Sequence, residues 1–104
     1  MGSYEGMFIL SPNLEGEQME KEQDFIKNEI VKQLGEISDA KLLGKRRLAY
    51  SLKKMKEGIY LLINFASRPE VIDKLLKRLK LDSNILRAAI FVKGPGALLN
   101  EIKD

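Results

Sequence analysis

The stretch Ile59-Tyr60-Leu61-Leu62-Ile63-Asn64-Phe65-Ala66, running straight into Ser67-Arg68-Pro69-Glu70, decides how this chain folds. Its apolar residues alternate with period two. Ile59, Leu61, Ile63 and Phe65 fall on one side, and Tyr60, Leu62 and Asn64 on the other, as a strand requires. The next four residues combine a cap residue, a proline suited to the first helical position and a glutamate at the capping-box position, so the strand ends and a helix begins. Ile72, Leu75, Leu76 and Leu79 then recur at helical spacing and form its buried side. A strand feeding an amphipathic helix is half of a β-α-β unit, and the flanking sequence supplies the rest.

Towards the C-terminus, Asp82-Ser83-Asn84 closes that helix and residues 85–93 read as another strand. Alternation there separates Leu86, Ala88, Ile90 and Val92 from Ile85, Arg87, Ala89 and Phe91. Gly94-Pro95-Gly96 then releases a short tail, 97–104, with no evident core role. Towards the N-terminus, 54–58 reads as a hairpin turn and 37–53 as a long strand interrupted near Gly44. Residues 4–10 read as a first strand that ends at Ser11-Pro12-Asn13, because proline cannot donate to a ladder. Between them Met19, Phe25 or Ile26, Ile30 and Leu34 mark an amphipathic helix, with Gly35 expected to form a left-handed cap.

The order β-α-β-β-α-β predicts an α+β fold of ferredoxin-like architecture, a four-stranded antiparallel sheet with both helices on one face. A single domain over 1–93 and an extended or flexible tail over 94–104 follow from it. The other sheet face lacks a cover, yet it is apolar. Tyr60, Leu62, Ala89 and Phe91, with Met7 or Ile9 from the first strand, are expected to form an exposed patch that takes a protein partner or the chain's own tail.

Composition narrows the chemistry. At 104 residues and 44% hydrophobic content the chain can bury one core without disulfides or metals. With no cysteine and no histidine it has no thiolate nucleophile, imidazole base or Cys/His zinc site, and no cofactor is expected. Its apolar runs fall far short of the roughly 20 residues that span a bilayer, and Met1-Gly2-Ser3-Tyr4 does not resemble a signal peptide, so cytoplasmic residence is expected. Net charge is only +3, but it is unevenly placed: seven cations and no carboxylate lie in 41–56, against eight carboxylates and three lysines in 11–40. The basic side suits a polyanion, or stands as ordinary solvated surface; the acidic helix is expected to face solvent.

The cations centre on Gly44-Lys45-Arg46-Arg47-Leu48-Ala49-Tyr50-Ser51-Leu52. Arginine presents a planar fork of donors matched to phosphate oxygens, while Lys45, Lys53 and Lys54 add less directional charge. Tyr50 either stacks on an unpaired base or packs within the arm. Adjacent strand residues point to opposite faces, so Arg46 and Arg47 share a ligand only at an edge or a bulge, which Gly44 can supply.

The segment resembles the signature of the bacterial small-subunit ribosomal protein S-six family: Gly44, a free position, basic Arg46, polar Arg47, Leu48, Ala49, Tyr50, a free position and aliphatic Leu52. The likeness extends from Tyr4-Glu5 through Ser11-Pro12-Asn13-Leu14, Gly58 and Ile72 to the Asp82 turn and Arg87, nearly the whole chain. It implies a ribosomal protein with no enzymatic activity, a structural part of the cytoplasmic ribosome, bound to the central domain of small-subunit ribosomal RNA beside the S-eighteen ribosomal protein. Arg46, Arg47 and Tyr50 carry over by position; with Lys45, Lys53, Lys54 and Arg87 they are the rRNA-binding candidates, and Tyr60, Leu62, Ala89 and Phe91 of the apolar sheet face are the expected partner face. Two departures stand out: Leu43 where the family often has tryptophan, and Ser51 where it often has proline.

Two other classes compete. A free-standing single-stranded RNA-binding module would use Tyr60 as a stacking platform, but the central strands lack the glycine- and aromatic-rich pattern of such modules. An acyl-phosphate hydrolase would need a phosphate-cradling glycine loop that is absent, with Arg87 and Asn64 to place a water. No small-molecule substrate and no membrane are expected.

Overall fold

The computed structural model describes residues 2–93 and the pair 102–103. Its elements are β1 (Gly2–Leu10), α1 (Glu17–Lys32), β2 (Glu36–Leu52), β3 (Met55–Ser67), a 3₁₀ turn (Pro69–Val71), α2 (Ile72–Lys80), β4 (Ile85–Lys93) and β5 (Ile102–Lys103). The sheet runs β2-β3-β1-β4-β5, with every pair antiparallel. The ferredoxin-like arrangement expected from the element order is therefore present. A fifth, two-residue strand pairs Ala89 with Lys103 and Ile90 with Ile102 along the β4 edge. The rest of the 94–104 tail lies outside the described residues.

One core holds both helices against one sheet face. Met19, Ile26 and Ile30 of α1 and Ile72, Leu75, Leu76 and Leu79 of α2 join Phe8, Leu10, Leu61, Ile63, Phe65, Ala88 and Ile90 of the strands. The alternation read in β3 holds throughout, because a strand central to the sheet must turn every second side chain inward. In β4 it fails at the start. The register against β1 shifts between Ile9 and Leu10, which leaves Leu86 as the extra residue and turns Ile85 into the core, contrary to expectation.

Four local expectations are corrected. The left-handed residue after α1 is Leu34, with φ of 65°, not Gly35. Leu34 N–H donates to the Val31 carbonyl at 2.9 Å and Gly35 N–H to the Ile30 carbonyl at 3.0 Å, a Schellman closure one residue early that leaves Leu34 69% exposed. Gly35 is required for closeness instead, since a Cβ there would lie 2.9 Å from the Ile30 carbonyl oxygen. The hairpin turn is Lys53-Lys54, with Leu52 opposite Met55, rather than 54–58. Ser67 makes no cap; it is the last residue of β3, and its buried hydroxyl turns to the Arg68 carbonyl while Pro69 opens a 3₁₀ turn. Finally, α1 is not wholly solvated on its charged side, because Glu22 and Glu29 are buried.

Candidate nucleic-acid interface

Long strand β2 is the free edge of the sheet, and its distal half carries the basic residues. Gly44 adopts φ of 92°, a conformation that L side chains rarely reach, and the register slips there, leaving Leu43 as an extra residue between Leu42, opposite Leu61, and Gly44, opposite Tyr60. The irregularity read at Gly44 is real, but it precedes the arginines. Arg46 pairs regularly with Gly58 and Arg47 with Glu57. They therefore share an exposed edge and not a face, Arg46 on the open side with Tyr60 and Arg47 on the helix side. Lys45, Arg46, Arg47, Lys53 and Lys54 are all exposed.

Beyond Arg47 the ladder lapses. Residues 48–51 stand against Lys56 alone before Leu52 meets Met55. Both turn residues have positive φ, 47° at Lys53 and 68° at Lys54, the backbone of a type I′ turn that asparagine and glycine usually occupy. Lys53 is drawn back towards the sheet, and its Nζ donates to the Ile85 carbonyl at 2.9 Å. Tyr50 is 65% exposed, and its hydroxyl accepts a 3.4 Å hydrogen bond from Arg87 Nη1. Arg47, Leu48, Ala49, Tyr50, Ser51 and Lys56 surround a shallow depression of about 250 Å³ on the arm. The two departures from the family signature fall at irregular points, Leu43 at the bulge and Ser51 in the lapsed ladder, so neither loss disturbs a regular pair.

On the open sheet face Met7, Ile9, Tyr60, Arg87, Ala89 and Phe91 line a groove of about 250 Å³. The expected patch is less open than its sequence suggests. Tyr60, Leu62 and Phe91 are half-buried, and Ala89 is only 5% exposed. The structure thus brings Arg87 to the groove and Tyr50 to Arg87, while Lys45, Arg46, Arg47 and Lys54 remain along the edge and tip.

Sequence reading missed a buried polar cluster on the helical side. Glu29, 2% exposed, accepts from Arg78 Nε at 3.0 Å and from Lys32 Nζ at 3.2 Å, and the Arg78 bond holds its carboxyl below the usual range. Glu22, 7% exposed, accepts from Asn84 Nδ2 at 3.3 Å; burial, then the Asp82 carboxylate beside it, push it up to about 7. The signal was present, because Met19, Glu22, Ile26 and Glu29 share one stripe at three- and four-residue spacing. Among the described residues no cluster of three or more histidine, cysteine or acidic side chains could hold a metal, and no helix is long and apolar enough to cross a membrane.

The family model for ribosomal protein S6 matches residues 3–92. The chain belongs to the ribosomal protein S6 family. Small ribosomal subunit protein bS6 of Caldanaerobacter subterraneus subsp. tengcongensis is 41% identical over 90 residues, covering 86% of this chain and 95% of that protein. The bS6 protein of Natranaerobius thermophilus is 39% identical over 90 residues, covering 86% and 94%. Among solved structures, 30S ribosomal protein S6 from Thermotoga maritima superposes with a TM-score of 0.82 at 30% identity, covering 88% of this chain and 87% of that one. The S6 match takes in β1 to β4 almost entirely, so arm and groove both lie inside the shared fold.

Proposed function

We propose that this chain is a structural component of the small ribosomal subunit in the cytoplasm, one that binds the central domain of ribosomal RNA through its β2–β3 arm and the S-eighteen ribosomal protein through its sheet groove. The observation that carries the reading is the seven-cation, carboxylate-free segment 41–56 on an exposed edge hairpin, beside an apolar groove of the same sheet. Edge strands with closely spaced cations resist pairing with other strands and suit a phosphate backbone instead. Lys45, Arg46, Arg47 and Lys54 supply the phosphate contacts, whereas Lys53, Tyr50 and Arg87 are engaged inside the chain. The folded unit spans 1–93, and the tail 94–104 adds to the partner contact along β4, a role that the β5 pairing supports.

Salt titration tests the arm. If about three phosphates are neutralised, log affinity for a central-domain transcript falls against log salt with a slope of roughly −2 to −3. Arg46→Ala with Arg47→Ala flattens that slope; an unchanged slope removes the arm from the RNA contact. Co-sedimentation with small subunits at stringent salt tests the assignment as a whole. Tight binding to short unstructured oligonucleotides without a partner protein would favour the free-standing RNA module instead.

A further inference from the structure

A polar pocket of about 410 Å³ lies where the end of β1, the first turns of α1 and the α2–β4 turn meet, with Ser11, Asn13, Gln18, Lys21, Glu22 and Asn84 among its lining residues. Neither the arm nor the sheet groove includes any of them. Glu22 is 7% exposed; its Oε1 accepts from Asn84 Nδ2 at 3.3 Å, but its Oε2 is buried with no hydrogen-bond partner. Asp82 stands within hydrogen-bonding reach of it, and a carboxylate is again an acceptor. The turn fixes that neighbour in place, because Asp82 Oδ1 accepts the Asn84 N–H at 2.9 Å while the Ser11 N–H donates to the Asn84 carbonyl at 2.8 Å. Two acceptors held together without a donor leave a buried oxygen uncompensated, a cost that a positive species between them removes.

We propose that this pocket is a divalent-cation site in which Glu22 and Asp82 supply the charge, side-chain oxygens of Ser11 and Asn13 add neutral ligands, and retained waters complete the shell. Two carboxylates make no closed cage, but a magnesium-type ion binds through one or two carboxylates and keeps several waters. The pocket has room for them, since a water takes about 30 Å³ in the liquid. Once bound, the ion occupies the place a shared proton would otherwise fill and ties α1 to the end of β1 and the turn before β4. The exposed Lys21 ammonium opposes it, so the affinity belongs at the weak end of oxygen-ligand sites, a Kd of about 0.1–1 mM.

Manganese titration of the full chain, followed by amide resonances, tests the site. Mn²⁺ should broaden the amides of Ser11, Asn13, Glu22 and Asn84 before any others, and excess Mg²⁺ should reverse the broadening by competition. Glu22→Gln and Asp82→Asn keep the shape of each side chain and remove its charge; each should weaken binding at least about tenfold, with amide protection in β1 retained as a check on folding. Affinity within about twofold of wild type in both folded variants overturns the proposal. So does broadening that begins at the exposed pair Glu20 and Asp24 on α1, which would report a solvated acidic surface. Reversal by a primary amine such as ethylammonium but not by Mg²⁺ overturns it as well, in favour of an organic cation.

Discussion

Glu22 illustrates how one buried side chain shapes behaviour far from the basic arm. Its neutral form is the one the fold favours, because burial and the Asp82 carboxylate raise its pKa from 4.5 to about 7. The folded state therefore holds this proton more tightly than the unfolded chain. Its contribution to stability is present below pH 4.5 and lost as pH rises through about 7. Allowing for solvent screening, the loss is on the order of 1–2 kcal/mol. Glu22→Gln should raise stability at pH 8 by about 1 kcal/mol and flatten the pH 5–8 profile in urea unfolding; an unaltered profile would assign the dependence elsewhere. Leu34 offers a second test. It carries a left-handed backbone with its side chain mostly in solvent, so Leu34→Gly should stabilise by about 0.5–1 kcal/mol, read as a higher urea midpoint with the same slope. Leu34 was not legible in sequence, and Glu22 was legible only as a member of the Met19, Glu22, Ile26, Glu29 stripe. A glycine beside a helix end normally marks the left-handed cap, and a glutamate on an otherwise charged helix normally faces water; here close approach to Ile30 and the neighbouring Arg78 and Asn84 reversed both rules.

At the scale of elements, periodicity identified every strand and helix of the ferredoxin-like unit, because a core on one face imposes a period of two on strands and near 3.6 on helices. Bulges were harder. Gly44 was visible because its φ suits glycine, whereas the shift opposite Leu10 has no glycine to mark it and moved Ile85 into the core. The Lys53-Lys54 turn was misplaced for the same reason: lysines occupy positions where asparagine and glycine are the usual signal. Replacing Lys54 by glycine should therefore stabilise the hairpin by about 0.5–1 kcal/mol, while leaving the Lys53 hydrogen bond to the Ile85 carbonyl in place. Slower amide exchange in 48–56 would report it, and unchanged or faster exchange would show that the turn carries no strain worth relieving. In the binding site, the residue types were legible and the geometry was not. Arg46 and Arg47 stand out by charge, but their separation onto two sides of an edge follows from a register that only pairing with Gly58 and Glu57 defines.

Across the whole molecule, charge and apolar surface are sorted onto different parts of one sheet: cations along the β2 edge, a groove across β1, β3 and β4, and β5 at the opposite edge. If the tail joins the partner contact, removing the residues after Lys93 should weaken binding to the S-eighteen protein several-fold and RNA binding little, as separate titrations would show. Equal loss in both, or in neither, would detach the tail from that surface. By itself the sequence determined the element order, the single hydrophobic core, the two-sided charge and the family, since each is written in local periodicity, composition or a contiguous motif. Tertiary structure alone decided that Glu29 meets Arg78 and Glu22 meets Asn84, that Lys53 and Tyr50 bond back to β4, and that Ala89 is hidden in the groove it helps to line. Those outcomes depend on neighbours distant in sequence, with Tyr50 and Arg87 separated by 37 positions, and no local pattern encodes a partner that folding has yet to bring near.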